Sequence, residues 1–270
     1  MSYFDKLDKF LKSYFEILAG GEIPDFLEEY IETPEMQRIA KVSMGCGTDY
    51  TKLFNHRYFY SNLDHSVGVA LIIWNFTHSK KQTLSGLFHD IATPVFKHCI
   101  DFMNGDYEKQ ESTEELTTSI LKNSKGIMQL LKRDEIKLEE VDDYKIYPIA
   151  DNDTPQLSAD RFEYNFSNGF AYENKWLNLD DIKRVYNNVI ILKNENGIDE
   201  LGFKDIKIAE EYISVISKIW PRWISKEVKI TMQFLADCVK VLYEAGLVSK
   251  NDLYMLSENE IIEKIKKCDI

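Results

Sequence analysis

A chain of 270 residues, 44% hydrophobic and 29% charged, can bury a full core and suits one domain with a peripheral subdomain. Its net charge of -12 argues against nucleic-acid binding through phosphate neutralisation. No apolar run is long enough to span a membrane, and the charged N-terminus lacks the apolar stretch of a secretory signal. Cys46, Cys99, Cys238 and Cys268 are scattered without close pairs, which argues against a zinc knuckle and for reduced thiols in a cytoplasm.

Helical periodicity dominates. Phe4, Leu7, Phe10, Leu11, Tyr14, Phe15 and Leu18 predict a helix over 3–18, closed by Gly20-Gly21. A short acidic helix follows, and then another over 33–44. "LDHSVGVALIIWNFTH" (63–78) is apolar nearly all round, as a buried helix would be. "QTLSGLFHDIA" (82–92), the segment after Pro94, "STEELTTSILKNSKGIMQLLK" and "TPQLSADRFEYNFS" (154–167) continue the helical pattern. "RVYNNVIIL" (184–192) and "GIDELGF" (197–203) predict two strands around a turn-rich "KNENG". Helices are expected again over 205–219, 226–244 and 257–267. Thr-Pro at 33–34, 93–94 and 154–155 each precedes a helical segment, with Thr as cap and Pro preorganised for the first turn. Thr93-Pro94 is therefore expected to end the helix carrying His89 and Asp90 and to start another.

The chain has 5 histidines, His56, His65, His78, His89 and His98, and none after position 98. On a helix, His89 and Asp90 straddle the face opposite Leu84, Leu87, Phe88 and Ile91, with Ser85 and Gly86 leaving room. A surface pair would look the same. His65 begins the buried helix, on the face of Gly68, Val69 and Ile72. A buried imidazole must be ligated or hydrogen-bonded, so a core histidine on a carbonyl is the alternative. Asp160 follows Ser158-Ala159, beside Arg161; an exposed Asp-Arg pair is the plain reading. Two imidazoles and two carboxylates suit one divalent ion (Mn, Fe, Ni, Co, Zn or Mg), since both bind at pH 7 at little proton cost.

In order and context, His65, His89-Asp90 and Asp160 resemble the H…HD…D signature of the HD-domain metal-dependent phosphohydrolases. "TPEMQRIAKVSMG", "SNLDHSVGVA", "LFHDIATPVFKH", "TEELTTSI", "SADRFEYNFSNGF", "LNLDDIKRVYNNVIIL" and "DLYMLSENEIIEKI" resemble landmarks of the branch containing deoxynucleoside triphosphate triphosphohydrolases. The resemblance covers most of the chain from about residue 33. It implies an all-α HD-domain helical bundle with a small β-hairpin near 184–203. Residues 1–32 would be an N-terminal helical extension, and 33–270 the HD domain with a C-terminal helical subdomain.

The resemblance further implies that His65, His89, Asp90 and Asp160 ligate the metal. Arg161 would meet phosphate oxygens and Tyr164 would face a nucleotide. His98 and Asp101, spaced to share a helical face, would manage protons, although a polar contact near a cap also fits His98. His56 and His78 have no place in this set. Four departures stand out. Thr93 and Thr113 (before Glu114) replace family histidines, Asn62 replaces an arginine and Asn168 an acidic residue. The ligands are kept, while groups that protonate a leaving oxygen and hold a triphosphate are changed.

The expected activity is metal-dependent hydrolysis of a phosphoester or phosphoanhydride in a nucleotide or related phosphorylated small molecule. Metal-activated water would attack phosphorus, with Arg161, Tyr164, Asn62 and Asn168 around the substrate. The alternative is a catalytically altered protein that binds nucleotide or metal for regulation. Homo-oligomers are common in such enzymes; no nucleic-acid or membrane partner is expected.

Overall fold

The computed structural model describes residues 2–54, 56–106 and 116–267. The helices run α1 (Tyr3–Lys6), α2 (Lys9–Leu18), α3 (Phe26–Ile31), α4 (Pro34–Ile39), α5 (Asn62–Thr77), α6 (Lys80–Phe88), α7 (His98–Met103), α8 (Thr117–Asn123) and α9 (Lys125–Arg133). They continue with α10 (Ala159–Tyr172) and α11 (Leu179–Tyr186), then strands β1 (Val189–Lys193) and β2 (Asp199–Phe203). The chain closes with α12 (Ile206–Trp223), α13 (Lys226–Glu244), α14 (Asp252–Met255) and α15 (Glu258–Lys266). The two strands form an antiparallel hairpin with Ile191 opposite Leu201. This is the all-α architecture with one small hairpin that the periodicity predicts. No helix among the described residues is long and apolar enough to cross a membrane.

Helix α5 organises the rest. Ser61 and Asp64 close a capping box at its start, and every residue from Asn62 to Ile73 is buried. It ends where His78 turns left-handed at φ 46°. Two glycines set how closely its neighbours approach. A Cβ on Gly86 would lie 2.3 Å from Ile73 Cδ1, so α6 packs tightly on α5. A Cβ on Gly68 would lie 2.7 Å from Glu163 Cγ, so α10 can bring that carboxylate against α5. The main core joins these helices to Tyr14, Phe15, Leu27, Tyr30, Phe162 and Phe166.

Several boundaries depart from the periodicity. The first helix breaks at Asp8, which caps α2 by accepting from Leu11 N at 2.9 Å. Ser124 likewise separates α8 from α9. Residues 184–186 belong to α11, not to a strand. Ile182, Val185 and Tyr186 are its buried face, and Asp180-Asp181 and Lys183-Arg184 suit its two ends. Helix α10 starts after its cap Ser158, so 154–157 lie outside it. Helix α6 stops at Phe88, and α7 begins only at His98. His89 and Asp90 thus sit just beyond a helix end, and Thr93-Pro94 lies in the turn between the two helices. Thr33-Pro34 does start a helix, with Pro in its first turn.

A second apolar cluster joins Val95, Phe96, Cys99 and Ile100 to Val228, Met232, Leu235, Val239 and Ile261. Cys46, Cys99 and Cys238 are free thiols. One carboxylate ties the two halves together. Glu258, at the start of α15, accepts from Ser43 N at 3.1 Å, Phe96 N at 3.0 Å and Tyr50 OH at 2.8 Å.

Burial pushes Glu258 up to about 7 from an ordinary 4.5. Between these values the folded state holds the proton and the unfolded chain releases it. The contribution of Glu258 to stability therefore falls as pH rises through that window and is flat outside it. The unfolding free energy of wild type minus that of Glu258→Gln, from urea titrations, should drop from pH 4.5 to 7, by on the order of 3 kcal/mol at most. A pH-independent difference would show that Glu258 titrates normally.

Candidate metal centre

Three side chains from three elements converge beside α5. His65 Nε2 lies 3.1 Å from Asp160 Oδ1 and 3.2 Å from His89 Nε2. His89 Nε2 is 3.9 Å from the same Asp160 oxygen. The three donor atoms all fall within 4.8 Å of one another. Donors about 2.0–2.2 Å from one ion, set at right angles, would stand about 3 Å apart; the two His65 spacings fit this, and the wider His89–Asp160 spacing fits two donors more nearly opposite each other across a shared cation.

Each imidazole is fixed through its other nitrogen. His65 Nδ1 meets Glu163 Oε2 at 2.5 Å, and His89 Nδ1 donates to Gly86 O at 2.7 Å. Both Nε2 atoms are left for the shared space, as metal-binding histidines require. Glu163 is fully buried. It also accepts from Tyr14 OH at 3.0 Å, Tyr60 OH at 2.7 Å and Ser167 Oγ at 3.1 Å. Burial alone would lower His65, but Asp160 and Glu163 outweigh it and hold it up at about 9. An ion at Nε2 must displace that proton, so metal binding tightens as pH rises.

Asp90, the fourth expected ligand, lies close but is engaged differently. Its Oδ2 is 3.7 Å from His89 Nε2 and 2.9 Å from Lys97 Nζ. Burial would raise this carboxyl, but Lys97 and the two histidines hold it well below the usual range. Lys97 is itself buried and also donates to Asn62 Oδ1 at 2.5 Å and Met44 Sδ at 3.1 Å. Its backbone sits at φ 47° and ψ -121°, after Phe96 at φ 61°. Non-glycine residues adopt such conformations at a cost of about 1–3 kcal/mol, usually where function holds them.

A cavity of about 320 Å³ opens beside the trio, walled by Met44, Thr93, Lys97, His98, Tyr144, Tyr164, Asn168 and Trp223 among others. His98 Nδ1 is 3.0 Å from the buried Asp101 Oδ2, as their spacing predicts. Asn62 is buried under the wall, bonded to Lys97 and to Asp90 O at 3.3 Å. Burial and Asp160 push the Tyr164 hydroxyl up to about 12.

Arg161 is placed elsewhere. It binds Asn152 through its guanidinium, donates from Nε to Gln156 O at 2.7 Å and pairs with Asp151 at 3.2 Å. It faces an adjoining groove of about 640 Å³ that shares His98, Tyr144, Asp160 and Tyr164 with the cavity. His56 bonds Thr48 Oγ1 at 2.8 Å, and His78 caps α5. Thr113 and Glu114 lie outside the described residues.

Sequence reasoning passes over Glu163, Lys97, Tyr144 and Trp223. The only local signals are a glutamate one turn after Asp160 and a lysine within the apolar run "PVFKH".

No family model matches the chain. It is 23% identical over 252 residues to the uncharacterized protein YdhJ of Bacillus subtilis, covering 93% of this chain and 74% of that one. It is 22% identical over 248 residues to a protein of Cordyceps militaris named metal-dependent phosphohydrolase cns2, covering 87% of this chain and 66% of the relative. The chain thus spans just under two thirds of the Cordyceps protein. A crystal structure of a hypothetical protein from Aquifex aeolicus superposes with a TM-score of 0.66 at 18% identity, over 92% of this chain and 69% of that one. That likeness is one of fold.

Replacing Glu163 by Gln keeps its shape but removes the carboxylate that orients His65. Metal affinity should fall about 10–100-fold, as it does when such supporting groups are lost. Competition with a chromogenic chelator measures this. Unchanged affinity would mean that Glu163 serves the core alone.

Proposed function

We propose that this protein is a metal-dependent phosphohydrolase acting on a nucleotide or a related phosphorylated small molecule. The observation that carries the reading is the convergence of His65 Nε2, His89 Nε2 and Asp160 Oδ1, with both imidazoles held through their other nitrogen. The name of the Cordyceps relative supports the same chemistry. A divalent ion held there would supply a Lewis acid for phosphoryl oxygen and lower the pKa of water.

The chain's own groups fill the remaining roles. Asp101 holds His98 at Nδ1, which leaves Nε2 to exchange a proton with water or a leaving oxygen. Asn168 Oδ1 and Trp223 Nε1 are buried with no hydrogen-bond partner among the described residues, and both residues wall the cavity. An acceptor and a donor left unsatisfied there suit the polar edge of a ligand. The adjoining groove carries Phe203, Tyr212 and Trp220, whose faces suit a nucleoside ring. Arg161, on the groove beside the cavity, would meet more distal substrate oxygens.

The regulatory alternative draws on that same Arg161, whose guanidinium is already bonded to 151–156. Two measurements separate the readings. Purified protein should carry about one divalent ion per chain. A panel of nucleotides and sugar phosphates with Mn, Ni or Co, read for phosphate, pyrophosphate and triphosphate, should then give turnover. His65→Ala and Asp160→Ala should abolish both metal and turnover. His98→Ala should keep the metal and lose about 10²–10⁴-fold in kcat. Turnover equal in wild type and Asp160→Ala would sink the enzyme reading and favour the regulatory one.

A further inference from the structure

We propose that Lys97 is the residue that holds a substrate phosphate oxygen beside the metal centre, an inference that rests on the phosphohydrolase reading. Among the described residues walling the cavity, Lys97 is the one lysine or arginine. Its ammonium is therefore the fixed cationic side chain that a phosphate group entering the cavity would meet.

The hydrogen bonding points the same way. An ammonium has three N–H donors. One goes to Asp90 Oδ2 at 2.9 Å and one to Asn62 Oδ1 at 2.5 Å, which lock the side chain in place. The third rests on Met44 Sδ at 3.1 Å. A thioether is a weak acceptor. An incoming phosphate oxygen is a far stronger partner and would take that donor without disturbing the other two. Met44 is itself part of the cavity wall, so the replaceable bond lies on the ligand's side.

The backbone supplies a separate observation. Phe96 and Lys97 both hold positive φ, with Lys97 in a region that glycine prefers. A turn that only carried the chain from α6 to α7 would gain from glycine at 97. Keeping a lysine there sends its side chain inward to Asp90 and Asn62. The backbone itself is anchored by Phe96 N on Glu258 Oε1 at 3.0 Å and Val95 N on Leu253 O at 2.9 Å.

The test measures inorganic phosphate binding by calorimetry, on Mn-loaded and on EDTA-treated protein, with metal content determined in each sample. Wild type and Lys97→Arg should agree within about threefold. Lys97→Gln, which still offers a donor to Asp90, and Lys97→Met should both weaken phosphate at least tenfold in both metal states. The Mn-loaded samples should keep their metal, and KM for an active substrate should rise more than kcat falls. Phosphate binding as in wild type by Lys97→Gln or Lys97→Met would overturn the proposal and leave Lys97 as the counter-ion of Asp90. So would a wild type that binds no phosphate in either state. Should both neutral variants fail to fold, Met44→Gln decides, because it leaves Lys97 in place and gives its third donor a competing amide oxygen. Phosphate affinity should then fall severalfold, and no change would overturn the proposal. A wild type that takes up no metal sinks the phosphohydrolase reading instead, while the EDTA-treated arm still reports on Lys97.

Discussion

The 2.5 Å contact between Glu163 Oε2 and His65 Nδ1 joins the candidate metal centre to the core. A carboxylate buried among aromatic rings is tolerated only when its lone pairs are used, and breaking such a set costs about 3–5 kcal/mol. Here all four donors are internal. Tyr14 comes from α2, Tyr60 from the segment before α5, His65 from α5 and Ser167 from α10. The fold must therefore bring these elements together before His65 has a defined orientation. Gly68 is what lets it happen, since any side chain there would meet Glu163. The first 32 residues, which read in sequence as an extension, supply one of those four donors through Tyr14.

The electrostatics of the site oppose those of the whole molecule. A net charge of -12 attracts cations and repels phosphates at long range. On the proposed function, phosphate recognition has to be local and shielded from water, where a single ammonium is worth much more than on the surface. Lys97 meets that condition. It is buried, it is held by two oxygen acceptors, and its turn is tied down by Glu258 from α15. The second apolar cluster thus does more than cover the C-terminal helices. It fixes the turn that carries the cation.

Much of this was legible in the residues. The 3.6-residue pattern identifies most helices, and the nearly uniform apolar run of 63–78 identifies the buried one. His65 and Asp160 stand out only through the resemblance, because read alone a core histidine and a surface Asp-Arg pair explain them as well. Periodicity is blind to short interruptions, so Asp8 and Ser124 act as caps inside what reads as continuous helix. It also places His89 and Asp90 on a helix, when they sit on the turn after it. Glu163 was hidden for a different reason. Glutamate is a good helix former and usually solvated, so its burial depends on which helix crosses it, a tertiary fact. Lys97 has the same character. Nothing within "PVFKH" says that the lysine turns inward until Asp90 and Asn62 are seen around it.

Asn62 ties the argument together. The enzymes that the sequence resembles carry an arginine there, and its replacement by a neutral amide looks at first like a loss of phosphate-binding charge. In the structure Asn62 Oδ1 receives the Lys97 ammonium at 2.5 Å, and its Nδ2 donates to Asp90 O at 3.3 Å. An arginine in that position would offer donors where an acceptor is needed and would set two cations side by side in a buried site. A lysine at 97 and a neutral acceptor at 62 are therefore one device. Positive charge stands beside the Asp90 carboxylate, delivered from the strained turn before α7.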